Sequence, residues 1–81
     1  MRDYPILTNV APLDDYKLVL TFNDTEKRLY DFKPNLSHKF YACLSNINMF
    51  KAVSAVDGEL EWASGQDFCP HTLYDNSELL Q

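Results

Sequence analysis

The sequence predicts one small α+β domain: an antiparallel sheet of two hairpins, preceded by a first strand, with short helices packed on one face. Three stretches carry that expectation. In Tyr16-Lys17-Leu18-Val19-Leu20-Thr21-Phe22 the residues Tyr16, Leu18, Leu20 and Phe22 share one side at a period of two, the spacing of a strand. Asp57-Gly58 stands between two short extended stretches and tolerates positive φ at both turn positions, a strong local signal for a hairpin. Glu59-Leu60-Glu61-Trp62 alternates acid with apolar, which points Leu60 and Trp62 inward and leaves Glu59 and Glu61 in water.

Taken in order, Ile6 to Leu13 suits a first strand ending at Pro12, because Ile6, Val10 and Leu13 mix with Thr8 and Asn9. Asp14-Asp15 then form the turn into the Tyr16–Phe22 strand. Asn23-Asp24-Thr25 turn the chain again, and Lys27 to Phe32 resumes an extended pattern. Which face of that strand is buried is left open by the pattern, with Leu29 on one side and Tyr30 and Phe32 on the other; size favours the two aromatics. Pro34 ends the strand. Asn35-Leu36-Ser37 gives a single helical turn, Phe40, Tyr41 and Leu44 fit a short helix, and Ser45 or Asn46 caps another turn over Ile47 to Lys51. Ala52 to Val56 and Glu59 to Ala63 form the second hairpin. Ser64-Gly65 turns, Gln66-Asp67-Phe68 is one more short strand, and Pro70 opens a last helix packed down by Leu73 and Tyr74. The tail from Ser77 to Gln81 is expected to fray.

Length and charge narrow the functions. With 81 residues there is room for one domain over 1–81, burying roughly 60–65% of its unfolded surface, so the core is thin and a second chain would help stabilise it. A hydrophobic share of 46% against 23% charged is that of a folded globular chain rather than a disordered one. Net charge is −5, with a pI near 4.7, the wrong sign for direct nucleic-acid binding. Of the seven basic residues, Lys17, Lys27, Arg28, Lys33, Lys39 and Lys51 are scattered and make no stripe. No apolar run reaches the ~18 residues of a membrane span, and Met1-Arg2-Asp3-Tyr4-Pro5 does not open a signal peptide, so a cytoplasmic location without membrane contact is expected. Cys43 and Cys69 are expected to stay reduced there.

The string Pro12-Leu13-Asp14-Asp15-Tyr16-Lys17-Leu18, then Asp57-Gly58, Glu61-Trp62 and Asp67-Phe68-Cys69-Pro70-His71-Thr72-Leu73-Tyr74, resembles the bacterial family called domain of unknown function 2442 over nearly the whole chain. The chain departs from the family pattern at Asn23-Asp24-Thr25, where a glycine is expected in the first turn, and at Ala63-Ser64 before Gly65. The matching positions are turns and core residues with no catalytic signature, so the resemblance implies a fold more than a function. It implies small cytoplasmic modules, some followed by a helix-turn-helix segment, often encoded beside another small protein in a toxin and antitoxin style of pairing. With the residues ending at Gln81, no such DNA-binding segment is expected here.

Residue by residue, the candidate chemistry is sparse. His38, Cys43, Cys69 and His71 are metal-capable, but none is spaced like a zinc knuckle, and the plain expectation is a buried Cys43, a helix-capping Cys69 and two surface histidines. Cys69 and His71 could also serve as nucleophile and base near a helix start, although no orienting third group or oxyanion loop accompanies them. Asp14, Asp15, Asp67 and Asp75 read as turn and cap residues before they read as acids or magnesium ligands. The aromatic share of 14% exceeds what a thin core hides, so an exposed aromatic patch flanked by acids is expected, with Tyr16, Trp62, Asp67, Pro70 and Tyr74 as candidate interaction residues. The leading expectation is therefore a non-enzymatic module that binds a protein partner or a second copy of itself, with no cofactor. A metal or small-molecule site on Cys69 and His71 is the alternative, and a DNA-associated regulator working through a partner is the third.

Overall fold

The computed structural model describes residues 5–80 and is an α+β domain with two antiparallel sheets. Strands β1 (Leu7–Pro12), β2 (Lys17–Phe22) and β3 (Glu26–Asp31) form a meander, which β7 (Glu78–Leu79) extends, giving the order β1-β2-β3-β7. The chain then passes through two 3-10 helices, Lys33–Ser37 and Lys39–Ser45, and the single α turn α1 (Ile47–Phe50). A second sheet follows in the order β4-β5-β6, with β4 at Val53–Val56, β5 at Glu59–Trp62 and β6 at Asp67–Phe68, and α2 (Pro70–Asn76) leads back to β7.

The local signals act where the sequence places them. Leu18, Leu20 and Phe22 are fully buried on one side of β2, and on β3 the inward residue is Tyr30, followed by Phe32, not Leu29. Asn23 and Asp24 both have positive φ, which their short polar side chains tolerate, and Asn23 Oδ1 also accepts the Ile6 N–H. Thr8 breaks the β1 register between Leu7 and Asn9, and its hydroxyl fills the gap by donating to the Thr21 carbonyl and accepting the Asp24 N–H. Asn46 caps α1 through its side chain, and Asp57-Gly58 turns the second hairpin with φ of 52° and 83°.

Four expectations need correction. The hairpins do not share one sheet: they belong to two, and the apolar residues of both sheets meet in one core, where burying both sets removes more apolar surface from water than either sheet could alone. Phe32 is the hinge of this packing, fully buried, with ring centroids 4.9 Å from Trp62, 5.9 Å from Phe50 and 5.8 Å from Phe68. Second, Tyr16 does not belong to the β2 strand face; it sits in the preceding turn with φ of 64°. Third, the tail is not frayed over 77–80. Leu79 pairs with Arg28, Glu78 with Leu29, and the Leu80 N–H donates to the Lys27 carbonyl. Arg28 explains this: Nε donates to Ser77 Oγ at 2.7 Å, Nη2 to the Ser77 carbonyl at 2.9 Å and Nη1 to Glu26 at 2.8 Å, while the guanidinium lies 4.3 Å from the Tyr74 ring centroid. Fourth, Cys43 is exposed, because Leu44 takes the inward position of that 3-10 helix. The expectation for Met1 to Tyr4 and for Gln81 lies outside the described residues.

Candidate functional surface

The five residues singled out from the sequence do not form one patch. Trp62 and Pro70 are buried, and the Trp62 indole N–H donates to the Phe50 carbonyl at 2.9 Å, so Trp62 presents no contact area to a partner. Tyr16 is half-buried, packed edge-to-face on Phe50 with its hydroxyl donating to the Ser45 carbonyl. Tyr74 is half-buried between Phe22 and Arg28. Asp67 alone of the five is exposed. The predicted aromatic patch does not form: among the described residues Phe40 is the one exposed aromatic, because a core shared by two sheets and the helical segments hides more ring surface than a single sheet does.

Cys69 and His71 come together at the start of α2. Cys69 is exposed at the cap position, and the backbone N–H groups of Thr72 and His71 hold its thiol below the usual cysteine range. His71 Nε2 lies 3.5 Å from Asp75 Oδ2, one helical turn on. Cys43, the other free thiol, accepts a hydrogen bond from the Gln66 side chain. Among the described residues no group of three or more His, Cys, Asp or Glu side chains is gathered as a metal site would need. Asp14 pairs with Lys51 and Asp15 with Lys17, consistent with acids that fasten a turn.

A different surface emerges from the second sheet. Its inward side chains are Val53, Ala55, Leu60 and Trp62, which places their alternating neighbours on the opposite face. The strand register pairs Val56 with Glu59, Ser54 with Glu61 and Glu61 with Asp67, and all of these residues are exposed. Strands β4, β5 and β6 contain no Lys or Arg, and the sequence has none after Lys51. Glu59, Glu61 and Asp67 are therefore a block of carboxylates without a cation in their own sheet. The sequence signal that marks it is the one-sided charge of the last thirty residues, where Asp57, Glu59, Glu61, Asp67, Asp75 and Glu78 have no basic residue among them. At one end of the face a groove of about 300 Å³ is lined by Asn48, Met49, Ala52, Ala63 and Ser64.

The family described as "Protein of unknown function (DUF2442)" matches residues 7–78, nearly the whole chain, and the protein belongs to it. No curated protein and no solved structure matches the chain. Among the described residues no helix is long and apolar enough to cross a membrane.

Proposed function

We propose that this domain is a non-enzymatic, cytoplasmic protein-interaction module that receives a basic partner on the outer face of its second sheet. The observation that carries the proposal is the exposed row Glu59, Glu61 and Asp67, which has no Lys or Arg in the strands of its own sheet among the described residues. Directly opposed like charges cost stability, by about 0.2–1 kcal/mol for a cross-strand pair, and a partner supplying Lys or Arg would turn that cost into attraction. The same field raises the encounter rate with a basic surface and repels nucleic acid. A small protein encoded beside this one, as the family resemblance implies, is the first partner to test, and the acidic face calls for a basic one.

The test is co-purification of the tagged chain from its host at low salt, beside a Glu59→Lys, Glu61→Lys variant, with native mass spectrometry of both. A stoichiometric protein held by the unmodified chain and lost from the variant supports the reading; equal retention by both overturns it. A second reading, a metal or small-molecule site on Cys69 and His71, has the exposed and acidified Cys69 thiol in its favour. Zinc in the same mass spectrum, removed by Cys69→Ala, would favour it instead.

A further inference from the structure

Along β5 the side chains of Glu59 and Glu61 leave the same face, about 7 Å apart, and Ala63 continues that row one step further. Ala52 precedes β4, and the Ala63 N–H donates to the Ala52 carbonyl at 2.9 Å, just beyond Val53 and Trp62, the last pair of the ladder. Both are exposed and line the groove together with Asn48, Met49 and Ser64. The groove thus opens two residues past Glu61, at the first residue of the turn that leaves β5. Lys51, next to the groove residue Ala52, has its ammonium paired with Asp14 in the β1–β2 turn. A charged strip ending in a recess with an unbranched, adaptable methionine wall suits a partner that supplies positive charge and one apolar anchor side by side.

Resting on the interaction reading above, we infer that the occupant is a basic segment of another protein that bears an aliphatic anchor within about two residues of its Lys or Arg side chains. The basic side chains meet Glu59, Glu61 and Asp67, and the anchor enters the recess at Ala52 and Ala63. Charge gives the encounter and orientation; the anchor gives residence.

The experiment uses two labelled probe peptides, one with the core Lys-Thr-Lys-Thr-Leu and one with Ser in place of the Leu, titrated by fluorescence anisotropy with the full chain at about 50 mM salt. Burying one aliphatic side chain predicts about ten-fold tighter binding of the Leu peptide. Ala63→Trp, which fills the recess, is expected to erase that difference while leaving the Ser peptide unchanged. Equal affinity of the two peptides for the unmodified chain overturns the anchor while the acidic-face reading stands, and the failure of both peptides to bind overturns the two together. The peptide comparison is made on the unmodified chain, so it holds even if Ala63→Trp folds poorly.

Discussion

Tyr16 and Gly65 hold equivalent positions in two hairpin turns of the same design. In the first, the Leu13 N–H donates to the Lys17 carbonyl and the Tyr16 N–H to the Leu13 carbonyl; in the second, the Trp62 N–H donates to the Gln66 carbonyl and the Gly65 N–H to the Trp62 carbonyl. Both turns place their third loop residue in a positive-φ conformation, 64° at Tyr16 and 104° at Gly65. Glycine adopts it freely. Tyr16 does so under strain, offset by its ring contact with Phe50 and its hydroxyl bond to Ser45.

From this pairing, Gly65→Ala should destabilise by about 1 kcal/mol although a Cβ there meets nothing within 4 Å, since the cost is in the backbone and not in packing. Tyr16→Gly relaxes the strain yet loses the ring, and a net loss of about 2 kcal/mol is expected. Urea unfolding measures both, and an unchanged Gly65→Ala midpoint would refute the strain argument.

Glu61 stands opposite Asp67, so Glu61→Lys should stabilise the free domain by about 0.5 kcal/mol while abolishing partner capture. A rise of a few degrees in Tm together with unaltered capture would separate the stability effect from the proposed function.

Trp62→Phe keeps an aromatic in the core but removes the donor to the Phe50 carbonyl and leaves a void. A loss of about 2–3 kcal/mol is expected, followed by circular dichroism because Trp62 is the one tryptophan.

Arg28→Ala removes the groups that hold Ser77 and stack on Tyr74, releasing β7 ahead of the rest of the fold. Hydrogen exchange at the Leu80 amide should accelerate at least ten-fold while amides of β2 keep their protection, and uniform acceleration would show that β7 is not a separate unit.

The Glu26 carboxyl is held below the usual glutamate range, first by the Tyr74 hydroxyl and then by Arg28. A depressed folded pKa gives stability that is present above the unfolded value of about 4.3 and is lost as pH falls through the folded pKa. The Tm advantage of the unmodified chain over Glu26→Gln should therefore be constant from pH 7 to about 5 and shrink below about 4.3. An advantage that persists to pH 2 would contradict the assignment.

Much of the candidate surface was readable one residue at a time and unreadable as a surface. Glu59 and Glu61 face water by simple alternation, but Asp67 joins them through a strand pairing that no local pattern specifies. Trp62 misled in the other direction: aromatic content points to an interface, while its position on the apolar side of β5 already places it inward. The family resemblance, built on turns and core positions, agrees with the match over residues 7–78 and carries no chemistry of its own.

The α+β class, the strands of both hairpins, the Asp57-Gly58 and Ser64-Gly65 turns and the inward residues Leu18, Leu20, Phe22, Leu60 and Trp62 were legible in the sequence, because period and turn chemistry are local properties of the chain, whereas the choice of Tyr30 and Phe32 over Leu29 was left to the packing. Tertiary structure decided what depends on residues far apart in sequence. It gathered the hairpins, as two sheets, around Phe32, drew the tail into β7 through Arg28 and Ser77, and brought the exposed Asp67 beside Glu61. Each of those outcomes follows from one requirement, that apolar faces and guanidinium donors find partners wherever the chain brings them within reach.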